Sequence, residues 1–132
     1  MKMDRRYLLS AVLAAAVGLA LSGIAQAQAV KLSGEEITRL LIGNTAIGRW
    51  EGTPYRQFFA KDGSTIYAQE GSRSALGRWR VDPVAQEYQS LWPGDAEWKG
   101  WFVMEYGDTH YWVSRDTPPT PFQIVEGQRL VK

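Results

Sequence analysis

From Thr45 onward, short runs of β-forming residues alternate with tight-turn signals, and no apolar repeat of helical period interrupts them. Asp62-Gly63 predicts a hairpin turn, because this pair tolerates the positive φ angles that tight turns need. Gly107-Asp108 and Pro93-Gly94 predict two further turns, and Pro118-Pro119 predicts a stiff, irregular connection before the last strand. The segments between these breaks are eight predicted strands: 46–51, 55–60, 65–70, 76–81, 87–92, 98–106, 109–114 and 122–125.

The strands are short, consecutive and linked by hairpins. This pattern predicts a mainly β fold, either a single antiparallel up-and-down barrel or a strongly curved sheet of about eight strands. Closure of the sheet would remove exposed strand edges, which otherwise promote aggregation. The sequence leaves open which of the two forms the sheet takes.

One short helix is predicted before the strands. Ser33 and Glu36 have the spacing of a capping box, and Ile37 begins an apolar stripe that continues to Leu41. Gly43 is placed to end the helix in a left-handed conformation, after about three turns. A helix of this length does not hold alone, so it must either plug one end of a barrel or pack on its outside.

The N-terminal residues have the three-part pattern of a secretory signal. Three basic side chains within residues 1–6 precede an uncharged apolar run over 7–24. The small-x-small triplet Ala25-Gln26-Ala27 follows, as signal peptidase requires. The pattern predicts an exported protein.

We predict cleavage after Ala27, with Ala29 as the alternative site, which gives a signal peptide over 1–27 and a single β-rich domain over 28–132. The alternative to cleavage is an uncleaved membrane anchor; after cleavage no stable anchor is expected. Arg5-Arg6 also resembles a twin-arginine export signal. Either route predicts a periplasmic or secreted protein.

Charge and composition narrow the expected partners. Removing residues 1–27 takes away three basic residues and one acidic residue, so the formal net charge falls by two, from +1 to about −1. A near-neutral chain with no polybasic stretch is not expected to bind nucleic acid. The chain has no Cys, and all six Trp and all four Phe lie after residue 27. Packing of large rings is therefore expected to hold the domain together.

Three motifs resemble a family of small secreted bacterial proteins of unknown function. They are Leu40–Thr45, directly after the helix, then Asp62-Gly63-Ser64, then Gly77–Val81. The resemblance covers residues 32 to about 113. Members of that family carry a pair of cysteines in the later strands, whereas this chain has Ser90 and Trp98 near those places.

A second resemblance rests on Gly48-Arg49-Trp50, which follows the predicted helix. Lipocalin-type, calycin-like β-barrels carry a G-x-W tripeptide in their first strand after a short helix. In such barrels the Trp packs across the closed end. The resemblance implies an interior cavity for a small apolar ligand.

Strand alternation assigns several aromatic rings and one histidine to a candidate ligand site. A barrel of about eight strands is just wide enough to be filled by side chains or to hold one small ligand. The inward-facing rings would therefore form either a filled core or a ligand-binding cavity. The candidate ligand-binding residues are Trp50, Trp79, Trp98, Phe102, Tyr106 and His110. Three further rings are expected at or near the outer surface: Trp92, Trp101 and Trp112.

No catalytic, cofactor or metal site is predicted. His110 is the one histidine, and Ser114 lies four residues along the same predicted strand, about 13 Å away and out of reach. With no Cys and no Asp-rich loop, a metal centre is not expected.

Three functions remain open. The chain is predicted to be a non-enzymatic module that binds a small apolar or aromatic ligand. The alternative is a protein-interaction, inhibitor or stress module that presents an exposed aromatic patch to an envelope protein. An enzyme would need a polar cleft around His110. The oligomeric state is left open.

Overall fold

A computed structural model of the protein describes residues 28–131, so the predicted signal segment lies outside the described residues. The described part contains one helix and nine strands. Their bounds are β1 (Val30–Lys31), α1 (Gly34–Leu41), β2 (Asn44–Trp50), β3 (Thr53–Phe59), β4 (Ser64–Gln69), β5 (Ala75–Asp82), β6 (Glu87–Leu91), β7 (Lys99–Tyr106), β8 (Thr109–Val113) and β9 (Thr120–Glu126).

The sheet is a closed, eight-stranded, antiparallel up-and-down barrel. Each strand from β2 to β9 pairs with the next along the chain, and β9 returns to pair with β2. The predicted mainly β fold is thus confirmed, and the barrel form is the one adopted. All eight predicted strands are present, and their ends differ from the predicted ones by at most two residues.

The short strand β1 was not predicted. It pairs with the C-terminal half of β7, through Val30 opposite Glu105 and Lys31 opposite Met104. The N-terminal half of the same β7 edge pairs with β6, through Tyr88 opposite Trp101. The β7 edge is therefore paired with β6 along its first half and with β1 along its second half. Two residues without alternation give no strand signal in the sequence.

The helix begins where the capping box predicts. The Glu36 backbone N–H donates to Ser33 Oγ at 3.2 Å, and the Ser33 backbone N–H donates to Glu36 Oε1 at 3.0 Å. Gly43 has a φ of +74°, so it ends the helix in the predicted left-handed conformation. The helix has eight residues, about two turns rather than three, because Ile42 has already left the helical conformation with a ψ of 122°.

Helix α1 plugs one end of the barrel, which settles the choice the sequence left open. Ile37 and Leu41 are fully buried and belong to one core cluster with the inward-facing Phe59 and Trp79. At the N-terminus of the helix, a Cβ on Gly34 would lie 3.1 Å from the Val81 side chain near the end of β5. The helix therefore spans from β5 and β6 to β2 across the barrel opening.

One expectation about strand faces is wrong. We expected Trp98, Phe102 and Tyr106 to face inward, but Phe102 is 37% exposed and Tyr106 50% exposed on the outer face. Both faces of β7 carry aromatic residues, so its own sequence does not distinguish them. Pairing decides: Trp101 lies opposite Tyr88, and Val103 opposite Trp112, inside the barrel. A shift of one residue in the pairing register would turn every side chain of the strand to the opposite face of the sheet.

Within residues 28–131, no helix is long and apolar enough to cross a membrane.

Candidate ligand pocket

The barrel end opposite α1 opens into a pocket of about 370 Å³. Trp50 at the end of β2, Ala75 at the start of β5 and Trp92 just after β6 stand around its mouth. The pocket volume lies within the range of small-molecule sites, which is about 300–1,000 Å³. The barrel interior is thus filled at one end and open at the other.

Seven aromatic rings line the pocket, and they come from β2, β3, β4, β6, β7, β8 and the segment after β6. They are Trp50, Tyr55, Tyr67, Tyr88, Trp92, Trp101 and Trp112. Several contact one another directly. The Tyr55 and Tyr67 rings stack with centroids 5.1 Å apart, and Tyr67 meets the Trp92 ring edge to face at 6.1 Å. Such contacts fix ring orientations and give the walls a defined shape.

Glycine at position 77 makes room for one of these rings. A Cβ there would lie 2.5 Å from the Trp92 ring, closer than any real side-chain contact. Trp92 therefore packs directly against the β5 backbone on the barrel interior. The absence of a side chain at Gly77 determines where this wall of the pocket stands.

A hydrogen-bonded polar layer forms part of the pocket lining and separates it from the apolar core. The buried Gln57 donates through Nε2 to Thr65 Oγ1 and to the Tyr88 hydroxyl, each at 3.0 Å. Nearby, the Trp112 indole N–H donates to the Tyr55 hydroxyl at 3.0 Å. These buried polar groups are satisfied, so they hold their side chains in place at little cost.

The two phenols of this layer resist ionisation. Burial raises the pKa of Tyr55 from 10.0 to about 12, against a smaller opposing effect of the hydrogen bond from Trp112. Burial raises the pKa of Tyr88 further, and its hydrogen bonds with Gln57 and Ser90 oppose the change. Both hydroxyls are therefore neutral near pH 7 and can donate as well as accept.

The predicted site residues are not brought together. Trp50 lines the pocket, and Trp79 faces inward but belongs to the filled core, where its indole N–H donates to the Ala60 carbonyl at 2.9 Å. Phe102 and Tyr106 lie outside the barrel, as described above. Trp98 is also outside the pocket, with the Arg80 guanidinium 4.1 Å from its ring centroid.

His110 is inward-facing but lies away from the pocket. It pairs across the β7–β8 hairpin with Glu105, its Nε2 3.0 Å from Glu105 Oε2, and its ring packs against Phe122. The hairpin lies at the helix end of the barrel, opposite the pocket mouth. His110 therefore does not contribute to the pocket.

Trp50 also departs from what the lipocalin-type resemblance implies. In those barrels the corresponding Trp packs across the closed end, whereas here Trp50 stands at the open end, beside the β2–β3 turn. The closed end is filled instead by α1 and the rings of Phe59 and Trp79.

Most of the pocket was missed by sequence reasoning. Trp92, Trp101 and Trp112 were expected outside but line the pocket. The other missed lining residues are Tyr55, Gln57, Tyr67, Gln69, Ala75, Tyr88, Ser90 and Lys99. The Asp62-Gly63 turn held a usable signal. A hairpin centred there pairs β3 with β4 and places Gln57 opposite Tyr67, on one face.

In the described part of the chain, no three His, Cys, Asp or Glu side chains are grouped closely enough to hold a metal ion. Comparison of the chain with protein-family models, with curated proteins and with solved structures finds no match. Inference about function therefore rests on the geometry of the barrel and its pocket.

Proposed function

We propose that this chain is an exported, non-enzymatic β-barrel module that binds a small aromatic or apolar ligand in the open end of the barrel. One observation carries the proposal: a barrel plugged at one end keeps a pocket of about 370 Å³ at the other, lined by seven aromatic rings. Burial of apolar surface would drive binding, and the hydrogen-bonded layer below would orient polar groups of the ligand. The closed eight-stranded barrel supports the proposal, since a barrel of this size is just wide enough to hold one small ligand.

Native mass spectrometry tests this proposal. The protein is purified gently from the periplasm of its host, and we expect a reproducible added mass that disappears on denaturation. A matched pair of variants locates the ligand. Ala75→Trp fills the pocket mouth and should abolish the added mass, whereas Leu76→Trp, at a neighbouring position that is 63% exposed, should retain it. A bare protein mass in the wild type would contradict the carrier function.

Export is tested by the intact mass of the same preparation. Cleavage after Ala27 leaves a chain that begins at Gln28, and cleavage after Ala29 leaves one that begins at Val30. Arg5→Lys together with Arg6→Lys should block export only if the twin-arginine route is used. A full-length mass in the membrane fraction would contradict cleavage and support an anchor.

An interaction module is the second candidate, and it is supported by the outer face of β7. Phe102 and Tyr106 are exposed there, and β8 places Tyr111 and Val113 beside them by register. A photo-crosslinking residue at Phe102 should capture one envelope protein in the host periplasm, and the same residue at the exposed Arg78 should not. Equal capture at both positions would contradict this candidate.

A further inference from the structure

One positively charged side chain, Lys99, lies at the mouth of the pocket. Lys99 is the one charged residue among those lining the pocket, which include no Asp or Glu. Its inward position follows from pairing, since Lys99 lies opposite Ser90, a buried residue of the pocket wall. An ammonium group at this place favours anionic ligands over cationic ones.

Asp95 is an acidic neighbour of Lys99, and it is not among the residues that line the pocket. Asp95 Oδ1 lies 3.7 Å from Lys99 Nζ, and the Lys99 side chain is 65% exposed, so the pair is a weak surface contact. The other carboxylate oxygen of Asp95 accepts the Trp92 backbone N–H at 3.0 Å. That bond holds the carboxylate at the turn, outside the pocket lining, and leaves the ammonium available to a ligand.

Tyr55, which lines the pocket, supplies a hydrogen-bond donor. Its hydroxyl already accepts from Trp112 and still has its own proton to donate. A ligand that brings an acceptor oxygen can receive this proton.

The walls favour a flat molecule. The Tyr55 and Tyr67 rings are nearly parallel, 16° apart, and the Trp92 ring stands at 75° to Tyr67. Aromatic ligands bind such walls by stacking on one ring and meeting the edge of another. A planar ring system of one or two fused rings suits both contacts.

From the charge, the donor and the flat walls together, we infer that the pocket takes a planar aromatic carboxylate, whose ring lies against Tyr67 and Trp92 while the carboxylate meets Lys99. This inference rests on the proposed function and names the ligand class of the same pocket. An aromatic cage for a cation is disfavoured by the positive charge of Lys99 at the mouth.

Isothermal titration calorimetry with three probes of one ring system tests the ligand class. The probes are 2-naphthoate, the neutral 2-naphthamide and the cationic (2-naphthylmethyl)trimethylammonium. We expect 2-naphthoate to bind the wild-type protein about tenfold more tightly than the amide, because the Lys99 ammonium meets a full negative charge on naphthoate and only a carbonyl dipole on the amide. The cation should bind more weakly than either.

Two variants assign the preference to Lys99. Lys99→Met should reduce the tenfold advantage of naphthoate to about twofold or less, because the affinity for naphthoate falls more than the affinity for the amide. Lys61→Met, an exposed lysine in the β3–β4 turn at the helix end of the barrel, should retain the full advantage.

Three results would overturn the inference: equal affinity for naphthoate and amide, tighter binding of the cation, or an advantage that survives Lys99→Met. Failure of all three probes to bind would also overturn it. The proposed function is decided separately, by the mass that the native protein retains, so a carrier of another ligand class would be recognised.

Discussion

The two ends of this barrel are built from the same kind of residue and behave differently. At the helix end, Phe59 is fully buried and meets Trp79 and Tyr88 edge to face, at centroid distances of 5.5 and 5.7 Å. Helix α1 covers these rings. At the opposite end, rings of similar size stand around a space of about 370 Å³ and nothing in the described part of the chain covers them.

The difference shows that aromatic content alone does not make a core. Rings fill an interior when another element closes over them, as Ile37 and Leu41 of α1 do here. Where no element closes the end, rings that pack against each other and against the backbone keep a cavity between them. We therefore expect mutations at the two ends to have different effects on stability and ligand binding.

The largest contrast is expected between Phe59→Ala and Trp50→Ala. Removal of the Phe59 ring leaves a cavity in the filled end and should lower the free energy of unfolding by about 3–5 kcal/mol. Trp50 is half-buried at the pocket mouth, so its loss should cost about 1 kcal/mol while weakening ligand binding. Urea denaturation of both variants checks the contrast. Equal losses would show that both ends are equally part of the core.

Alkaline pH should act on the layer between the two ends. The pKa of Tyr55 is raised to about 12 in the folded state, so its stabilising contribution is complete below pH 10 and is lost as the pH rises through about 12. Two units of pKa correspond to roughly 3 kcal/mol. The free energy of unfolding measured from pH 8 to pH 12 should fall accordingly, and Tyr88 adds to the fall.

Tyr55→Phe is the control for this pH dependence. The free energy of unfolding of this variant should fall less steeply above pH 10, because one buried phenol is absent and no longer ionises. At pH 7 it should be less stable by about 1–3 kcal/mol, since the Trp112 indole N–H loses its acceptor. An unchanged alkaline profile in this variant would contradict the role of Tyr55.

At the open end, Gly77→Ala should disturb the pocket wall. The new Cβ would lie 2.5 Å from the Trp92 ring, so Trp92 must move. We expect the free energy of unfolding to fall by about 1–3 kcal/mol. Tryptophan fluorescence should shift as the ring moves, and ligand binding should weaken. Gly71→Ala is a poor control because its φ is +80°, so Ala75→Ser at the pocket mouth serves instead. An unshifted spectrum with native stability would contradict the close packing.

The smallest effect is expected at the cap of the plugging helix. Ser33→Ala removes the acceptor for the Glu36 backbone N–H and should cost about 1 kcal/mol. The Ser33 backbone N–H and, less strongly, the Ser33 side chain lower the pKa of Glu36 below 4.5, so the stability that these bonds contribute is complete above that pH and shrinks as the pH falls further. The variant keeps the backbone donor, so only the smaller, side-chain part of this pH dependence should differ between the two proteins. Thermal unfolding of the wild type and the variant at pH 7 and pH 3 measures the loss of stability and its dependence on pH. Faster hydrogen exchange confined to α1 would locate the effect at the plug.

Local chemistry explains why so much of the fold could be predicted. The Asp62-Gly63 and Gly107-Asp108 turns place strand ends within a residue or two, because only certain residues adopt the conformations of tight turns. The capping box at Ser33 and the left-handed Gly43 bound the helix by short-range hydrogen bonds and sterics. These effects act within a few residues and are therefore visible in the sequence.

The candidate site was harder to predict because it depends on which face each strand turns inward. Trp50 and Trp79 were assigned to the interior correctly, since arginine residues beside them, Arg49 for Trp50 and Arg78 and Arg80 for Trp79, mark the opposite face of each strand as the outer one. For Trp101 and Phe102, adjacent on β7, each face is apolar enough to be buried. The pocket could therefore not be assembled from the sequence.

The sequence by itself determined the order of the eight barrel strands, the capped helix and the antiparallel, mainly β class, because these follow from turn geometry and alternation along the chain. Only the tertiary structure decided that α1 closes one end, that Trp101 rather than Phe102 faces inward, and that a pocket remains at the other end. The choice between the two rings depends on pairing between β7 and its neighbours β6 and β8, and the closed end depends on the packing of Ile37 and Leu41 against residues distant in the sequence.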